Sequence, residues 1–327
     1  MSSEISKIGI LTSGGDAPGM NAAIRSLVRS AEFNNFEIIG VQRGFQGLID
    51  GSFEQLEMRS VSNILGTGGT FLRSARSIDF LDKKKRKLAY KNLRNFGINA
   101  LIIIGGNGSL TGASVFSEEF DFPVVGIPAS IDNDVFGTDF SIGYNTALET
   151  IVESVDKIRD TANSHNRLFF IEVMGRKSGN LALNASLASG ACFVIIPEKD
   201  FQIIDLVKRL EENKKRNKES SIVIVAEGNN YGPSYKIAED LSNVYSAYES
   251  KVTILGHIQR GGKPSSFDRI LASQLAMAAI EALKLKKYNT LVGLVNNKLI
   301  KSPISEVINA TNNLSNDLYR LNKIISR

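Results

Sequence analysis

Two aspartates and a serine stand close together in the stretch PASIDND, which runs from Pro128 to Asp134. Ser130 offers a hydroxyl, and Asp132 and Asp134 offer carboxylates in alternate positions. Carboxylates this close repel each other, so a bound divalent cation, or a reaction that needs a base beside a cation, would explain the pair. Asp and Asn are also favoured turn residues, so the stretch taken alone fits a solvated turn equally well.

Two glycine-rich loops are candidate phosphate sites. The loop TSGGDAPGMNAAIR follows the apolar segment KIGIL and places Gly14 and Gly15 before a helical pattern. The loop GGNGS, residues 105–109, follows ALIII in the same way. Glycines let the backbone approach a ligand closely, and the start of a helix favours an anion. Neither loop matches the P-loop or the GxGxxG fingerprint. Together with the carboxylates, they suit a nucleoside triphosphate and a metal ion.

Basic residues in two further loops suit anionic ligands. Arg73 and Arg76 stand behind glycines in GGTFLRSAR, although in isolation they fit exposed surface arginines equally well. His257 and Arg260 lie three residues apart in LGHIQRGG, beyond a predicted strand. This pair could face a sugar phosphate, because arginine and histidine both donate to phosphate oxygens. For His257 alone, a structural role is the more common one.

Strand-like and helix-like segments alternate along the chain, which is typical of an α/β protein with parallel sheets. Most predicted strands are continuously apolar, as expected for strands covered on both faces. Helical patterns cover residues 147–158, 203–213 and 267–283. In such sheets ligands bind beyond the carboxyl ends of the strands, where the loops described above lie. The predicted strands are residues 7–11, 37–41, 100–104, 124–127, 168–173, 193–196, 222–226, 252–255 and 290–295.

Composition limits the class of protein. A chain of 327 residues fits two domains of about 150 residues each, with a boundary predicted near Asn145. The net charge of +5 is explained better by anionic small molecules than by nucleic acid, because no aromatic residues interleave the basic runs. A single cysteine excludes an internal disulfide, and two histidines make a structural zinc site improbable. The polar start and the lack of a long apolar run predict a cytoplasmic protein without a membrane span.

In their order and spacing, TSGGDAPGMNAAIR, GGNGS, PASIDND, EVMGR and LGHIQRGG resemble the bacterial-type ATP-dependent 6-phosphofructokinases over residues 7–295. The resemblance implies transfer of the γ-phosphate of ATP to the 1-hydroxyl of fructose 6-phosphate, with Mg²⁺. It also implies two similar three-layer α/β domains with mainly parallel sheets and the active site in the cleft between them. The domains would be 1–145 plus 259–309 for ATP, and 146–258 plus 310–327 for the sugar phosphate. Homotetramers with active and effector sites shared between subunits would follow.

The resemblance assigns roles to individual residues. Asp132 matches the base that takes the proton of the 1-hydroxyl, with Ser130 and Arg176 beside it as catalytic residues. Asp134 matches a carboxylate near the metal. Asn107 stands at the other metal position, where the family has aspartate, and brings no charge to the cation. The ATP-binding positions are Gly14, Arg76, Ser77, Gly106, Asn107, Gly108 and Ser109.

The same resemblance predicts the sugar and effector sites. Lys251 stands where an arginine is usual, so weaker sugar-phosphate binding is expected. Arg167 and Lys251 would reach in from a neighbouring subunit. Ser52 and Cys192 replace an arginine and a glutamate of the effector site, which predicts changed or lost regulation. The sugar positions are Ser130, Asp132, Arg167, Met174, Gly175, Arg176, Glu227, Lys251, His257 and Arg260. The effector positions are Arg25, Arg29, Arg159, Arg216 and Lys218.

The sequence is also compatible with other functions. The pyrophosphate-dependent relatives carry aspartate and lysine where this chain has Gly108 and Ala129, which favours ATP as the donor. Asn107 motivates a different class of function, a catalytically weak paralogue that binds sugar phosphate and serves as a regulatory or structural subunit. A kinase acting on another phosphosugar is a third possibility. A NAD-type kinase shares a GGDG-like loop but would not explain LGHIQRGG.

Overall fold

The computed structural model describes residues 5–163, 167–216, 221–312 and 314–326. These residues form two compact units. Unit 1 consists of the described residues of segments 1–130, 134–146 and 260–312. Unit 2 consists of those of segments 131–133, 147–259 and 313–327. The PASIDND stretch is therefore divided, with Asp132 assigned to unit 2 and its neighbours Ser130 and Asp134 to unit 1.

A seven-stranded sheet forms the centre of unit 1. Its strands are β1 (Lys7–Ser13), β2 (Glu37–Val41), β3 (Phe53–Leu56), β4 (Ala100–Gly105), β5 (Val124–Pro128), β10 (Thr290–Val295) and β11 (Lys298–Pro303). Their order across the sheet is β11-β10-β5-β4-β1-β2-β3. The inner strands pair in parallel, and the edge strands β3 and β11 pair antiparallel with β2 and β10. The carboxyl ends of β1, β4 and β5 therefore lie side by side.

Helices cover both faces of this sheet. They are α1 (Met20–Phe33), α2 (Gly44–Asp50), α3 (Lys83–Asn95), α4 (Asn107–Phe120), α9 (Ser266–Lys284) and α10 (Ile304–Asn309). On one face, α1 and α9 pack against each other and on the sheet. On the other, apolar side chains of α2, α3, α4 and α10 form one core cluster with those of the strands. The partly buried ion pair of Arg86 with Glu119 joins α3 to α4, with contacts of 2.6 and 2.7 Å. It lowers the pKa of the Glu119 carboxyl.

Unit 2 contains a four-stranded parallel sheet in the order β7-β8-β6-β9. Its strands are β6 (Arg167–Val173), β7 (Phe193–Ile195), β8 (Ser221–Ala226) and β9 (Glu249–Ile254). Its helices are α5 (Tyr144–Asn163), which begins in unit 1, α6 (Asn180–Ser189), α7 (Ile203–Lys215), α8 (Ser234–Val244) and α11 (Asn316–Ile325). Apolar residues of α7 and α8 form a core cluster with the strands. Helix α11 packs on α6, where Asn322 Nδ2 donates to Ser186 Oγ at 2.8 Å.

The predicted α/β class with mainly parallel sheets is confirmed, and all nine predicted strands are present. The predicted bounds were wrong for two strands. Strand β9 was predicted at 252–255 but runs from Glu249 to Ile254, and β7 was predicted to end at residue 196 but ends at Ile195. Two strands were missed, β3 and β11, because both are polar edge strands that pair on one side only. No helix in the described part of the chain is long and apolar enough to cross a bilayer.

Candidate active site

Three loops leave the sheet of unit 1 at neighbouring positions. Ser13 pairs with Gly105 at the ends of β1 and β4, and Gly105 pairs with Pro128 at the end of β5. A Cβ on Gly105 would lie 2.6 Å from both the Ser13 carbonyl oxygen and Ser109 Oγ, so only glycine fits there. The two glycine loops and the PASIDND stretch, far apart in sequence, thus begin side by side.

The GGNGS loop presents the start of a long helix. Gly106 has extended backbone and caps α4, and its carbonyl oxygen accepts from the N–H groups of Ser109 and Leu110 at 2.9 and 3.1 Å. No side chain caps this helix, so the N–H groups of Asn107 and Gly108 remain available to an anion. A Cβ on Gly108 would meet no atom within 4 Å. The backbone is therefore open at the place where a phosphate group would approach it.

Two polar side chains hold the carboxylate of Asp134. Ser130 Oγ donates to its Oδ1 at 2.9 Å, and Asn107 Nδ2 donates to its Oδ2 at 3.0 Å. Asn107 Nδ2 also donates to the Asp134 carbonyl oxygen at 3.2 Å. Asn107 thus links the start of α4 to the PASIDND stretch through an amide donor, which an aspartate could not supply at neutral pH.

Unit 2 fixes the backbone of the middle of the stretch. Ser178 Oγ donates to the Asp132 carbonyl oxygen at 3.0 Å, and Asn180 Nδ2 donates to the Asn133 carbonyl oxygen at 3.1 Å. Asn133 has a left-handed backbone with φ of 49°, a conformation that asparagine tolerates better than most residues. Ser178 and Asn180 therefore help to set the position from which the half-buried Asp132 side chain extends. Neither residue was predicted from the sequence.

A buried aspartate anchors the chain where it returns from this loop. Asp268, fully buried on α9, accepts from Gly143 N at 2.9 Å, from Thr146 N at 2.8 Å and from Thr146 Oγ1 at 2.6 Å. The loop is also closed at its base, where Ile142 N donates to the Pro128 carbonyl oxygen at 3.0 Å. Burial raises the pKa of Asp268, and these hydrogen bonds oppose part of that rise.

The arginines predicted for the nucleotide lie in a loop beside β1. Thr12 Oγ1 donates to the Arg73 carbonyl oxygen at 2.9 Å, and Arg73 has a left-handed φ of 59°. The side chains of Arg73 and Arg76 are exposed. Ser77 Oγ donates to Gln46 Oε1 at 2.8 Å, so the residue is engaged in a local contact. Arg260 Nη1 donates to the Asp16 carbonyl oxygen at 3.0 Å and lies against Gly15, in the first glycine loop.

Two loops predicted for the sugar meet in unit 2. A Cβ on Gly228 would lie 1.6 Å from the Arg176 carbonyl oxygen, so the loops after β6 and β8 touch through their backbones. Exposed Arg176 and Glu227 extend from these two loops. Buried Gln259 accepts from Met174 N at 3.1 Å and donates to the Gly256 carbonyl oxygen at 2.9 Å. Sequence reasoning missed Gln259. It lies in the 3₁₀-helix Gly256–Arg260, which also contains His257 and Arg260.

One carboxylate joins the two basic residues predicted to serve a neighbouring subunit. Glu249 Oε2 accepts from Arg167 Nε at 2.8 Å, and its Oε1 lies 2.5 Å from Lys251 Nζ. The hydrogen bonds from Lys251 and then from Arg167 lower the pKa of Glu249 to about 2. The three side chains remain 27–55% exposed, so this is a surface cluster that solvent and ligands can reach.

The predicted effector residues are distributed over both units. Arg25 and Arg29 lie on α1, the first half-buried and the second exposed. Arg159 lies on α5 and donates to the Ser189 carbonyl oxygen, and Arg216 is the exposed residue that follows the last residue of α7. Lys218 lies outside the described residues. Cys192 is buried in the core of unit 2, and Ser52 is half-buried beside β3.

Among the described residues, no group of three or more His, Cys, Asp or Glu side chains could hold a metal ion by itself. The groups around Asp134 that could ligate a metal ion are its own carboxylate, the Ser130 hydroxyl and the Asn107 amide. This set fits Mg²⁺, which usually keeps several waters and is bound through one or two carboxylates plus substrate phosphates. It does not fit an ion that needs a complete protein cage.

Comparison with known proteins identifies the family. The phosphofructokinase family model matches residues 7–283, which is most of the chain. The chain belongs to the phosphofructokinase family. It is 49% identical over 319 residues to ATP-dependent 6-phosphofructokinase 2 of Bacteroides thetaiotaomicron, covering 98% of each chain. It is 46% identical to the ATP-dependent 6-phosphofructokinase of Halalkalibacterium halodurans, covering 98% of this chain and 99% of that one.

Solved structures support the same family. Phosphofructokinase of Saccharomyces cerevisiae matches with a TM-score of 0.88 and 36% identity over 93% of this chain. This chain spans 45% of the length of that yeast chain. A pyrophosphate-dependent phosphofructokinase of Marinobacter aquaeolei matches with a TM-score of 0.84, covering 95% of this chain and 86% of that one. At 20% identity, the second similarity supports the fold alone.

Proposed function

We propose that this member of the family is an ATP-dependent 6-phosphofructokinase. It transfers the γ-phosphate of ATP to the 1-hydroxyl of fructose 6-phosphate and releases fructose 1,6-bisphosphate and ADP. One structural observation carries the proposal: the two glycine loops and the PASIDND stretch begin side by side at three adjacent strand ends. The names of relatives at 45–49% identity over nearly the whole chain supply the two substrates.

In this mechanism, Asp132 is the base. The oxygen of the sugar 1-hydroxyl forms a bond to the γ-phosphorus of ATP, and the bond from that phosphorus to the bridging oxygen of ADP breaks. Asp132 takes the hydroxyl proton, because the carboxylate has to be within hydrogen-bond reach as charge leaves the oxygen. Arg176 and Arg76 are proposed to stabilise the transferring phosphoryl group. Ser130 holds Asp134 through its Oγ and completes the catalytic set.

The nucleotide is proposed to bind at the glycine loops. The N–H groups at the start of α4 and the open backbone at Gly108 suit its phosphates. Gly14, Gly106 and Ser109 of the two glycine loops are also proposed to contact the nucleotide. Arg76 and Ser77 would contact it from the loop beside β1. Bound Mg²⁺ would neutralise phosphate charge. Asp134 would hold it, and Asn107 would orient Asp134 through its amide donor.

The sugar phosphate is proposed to bind to unit 2 and to the LGHIQRGG segment. Met174, Gly175, Arg176 and Glu227 would hold the sugar hydroxyls, and His257 and Arg260 would bind the 6-phosphate. We further propose that the protein is a homotetramer in which Arg167 and Lys251 complete the site of a neighbouring subunit. An effector would bind near Arg25, Arg29, Arg159, Arg216 and Lys218, with regulation altered by Ser52 and Cys192. The single cysteine is consistent with a cytoplasmic location.

A Gly108→Ala variant is expected to separate ligand binding from stability. The added methyl meets no atom within 4 Å, and alanine is favoured over glycine in helices, so the free energy of unfolding should stay equal or rise by up to about 1 kcal/mol. The KM for ATP should rise about tenfold, because the methyl group would stand where a phosphate approaches the backbone. Gly105→Ala is the matched contrast, since its Cβ would lie 2.6 Å from the Ser13 carbonyl oxygen and should destabilise the fold. An unchanged KM for ATP in the first variant would contradict the assignment.

Glu249→Gln is expected to lower the KM for fructose 6-phosphate by about threefold to tenfold. The glutamate competes with the ligand phosphate for Arg167 and Lys251, and the amide removes its charge. Because the pKa of Glu249 is lowered to about 2, the glutamate stays ionised above that pH and adds no pH dependence of its own between pH 6 and pH 8. Glu57→Gln, an exposed glutamate of unit 1, is the control. A raised KM would show that Glu249 positions the two cations instead of competing for them.

The identity of the donor tests the proposed function against the pyrophosphate alternative. Product formation from fructose 6-phosphate and Mg²⁺ would be measured with either ATP or pyrophosphate. We expect kcat/KM for pyrophosphate to be at least about a thousandfold lower, because that substrate lacks the nucleoside and its contacts. Equal rates with the two donors would refute the assignment. No turnover with either donor, together with tight sugar-phosphate binding, would favour the regulatory-subunit alternative.

A further inference from the structure

A cavity separate from the candidate active site lies within unit 2, between the edge strand β7, helix α7 and helix α11. Its volume is about 310 Å³, which is in the range of small-molecule sites. None of the residues proposed for catalysis, nucleotide or sugar lines it, and of the described effector positions only Cys192 does. Helix α11 closes one side, and its buried Asn322 holds it to α6 through Ser186. The proposed function therefore leaves this cavity unexplained.

A poorly satisfied guanidinium faces this region. Arg209 on α7 lines the cavity, and its side chain is only 14% exposed. Within the described residues its polar partner is Glu212, through a long contact of 3.4 Å between Nη1 and Oε2. A guanidinium carries five N–H donors, and a cation withdrawn from water is costly unless it is paired. Arg209 is therefore able to bind an anion without giving up a strong contact.

Two lysines next to Tyr319 add further positive charge to the cavity. Lys199 Nζ lies 5.3 Å and Lys323 Nζ 4.9 Å from the centre of its ring, which are cation–π distances. All three residues line the cavity. Burial and the nearby Asp205 carboxylate raise the pKa of Tyr319, so its hydroxyl stays neutral at physiological pH. The neutral hydroxyl can therefore donate a hydrogen bond to a ligand.

The remaining lining indicates what kind of ligand fits. Phe193 and Phe201, whose ring centres lie 5.9 Å apart, give the cavity an aromatic wall. Besides four cationic side chains, three acidic ones line it: Asp200, Asp205 and Glu212. This nearly balanced charge disfavours a polyphosphate and suits a small anion with an apolar body.

We propose that this cavity is a second ligand site, which binds a small organic anion: a phosphate or carboxylate group attached to an aromatic or apolar body. Arg209 binds the anionic group, with Lys323 adding charge at the rim. Tyr319 and Phe201 contact the apolar part. A bound ligand would bridge α7 and α11, so it should also stabilise the packing of α11 on unit 2.

The test is calorimetric titration of the full chain with phenyl phosphate, inorganic phosphate and benzoate. Phenyl phosphate should bind the wild type with a Kd of about 1 mM or below and more tightly than inorganic phosphate. Arg209→Gln should weaken binding about tenfold or more, and Lys323→Gln about threefold. Benzoate distinguishes the two possible anions, since benzoate binding more tightly than phenyl phosphate would identify a carboxylate site. Equal affinity for phenyl phosphate and inorganic phosphate would refute the contribution of the aromatic wall.

Two control variants separate this site from the proposed active site. Lys214→Gln changes a cation on α7 that does not line the cavity, and Arg176→Gln changes the proposed active site. Both should bind phenyl phosphate within about twofold of the wild type. No binding to the wild type, or a loss with Arg176→Gln and not with Arg209→Gln, would overturn the proposal. Circular dichroism would show whether Arg209→Gln folds. If it does not, Lys323→Gln and Tyr319→Leu replace it: both should bind phenyl phosphate more weakly than the wild type, and unchanged binding in both would overturn the proposal.

Discussion

An Asp132→Asn variant is expected to lose about three orders of magnitude in kcat, while the KM values for ATP and fructose 6-phosphate change by less than about threefold. The amide keeps the shape of the side chain and can still accept a hydrogen bond, but it does not take a proton at neutral pH. The loss should therefore fall on the chemical step. Steady-state kinetics measured in both substrates would separate kcat from KM.

The backbone position of residue 132 should be retained in this variant. The contact that Asp132 makes with Ser178 uses its backbone carbonyl oxygen, which the substitution retains. Asp139→Asn is a matched control from the same loop. The Asp139 Oδ2 accepts from Asn296 N at 2.7 Å, and asparagine keeps an acceptor there, so kcat should stay within about twofold. A kcat for Asp132→Asn within about fivefold of the wild type would show that another group is the base.

Asp268→Asn is expected to lower the free energy of unfolding by about 3 kcal/mol. The carboxylate accepts three hydrogen bonds from Gly143 and Thr146, two of them at Oδ2. An amide has only one acceptor oxygen, so at least one buried donor would lose its partner or face an N–H₂ group. Chemical denaturation measures this change. Asp317→Asn provides the control, because that exposed aspartate occupies the first turn of α11 and should cost less than about 0.5 kcal/mol.

The effect of Asp268→Asn should also depend on pH. Burial raises the pKa of Asp268, so the native state holds the proton more tightly than the unfolded chain does. The contribution of the aspartate to stability is therefore greatest below its unfolded pKa and declines as pH rises through the folded pKa. The destabilisation relative to wild type should accordingly be larger at pH 4 than at pH 7. A difference that grows with rising pH would contradict the role of burial.

Asp268 illustrates why the sequence identifies the loops of this site better than their supports. Glycines after continuously apolar strands, as at Gly105, carry a local signal that a single sequence displays. An aspartate in the first turn of a helix also has a local explanation, because it favours the helix dipole and is usually exposed. Its burial against Gly143 and Thr146 arises only when distant segments fold together. No spacing rule marks such a residue.

The position of Asn107 in the site was predicted from the sequence, but its contact with Asp134 was not. Its place in GGNGS was evident, and the sequence predicted an amide instead of a charge near the metal. The sequence did not indicate that the amide would donate to the carboxylate of Asp134. Ser178, Asn180 and Gln259 were missed for a related reason. Short polar side chains that bind distant backbone groups have no characteristic pattern in sequence.

We propose that this chain phosphorylates the 1-hydroxyl of fructose 6-phosphate from ATP, with Asp132 as the base. The most direct measurement follows the ³¹P NMR spectrum of the purified protein with fructose 6-phosphate, ATP and Mg²⁺, beside an identical sample of Asp132→Asn. We expect the wild type to form fructose 1,6-bisphosphate and ADP in equal amounts, and the variant to form them about a thousandfold more slowly. ADP formed without the bisphosphate, or equal rates for the two proteins, would contradict the account.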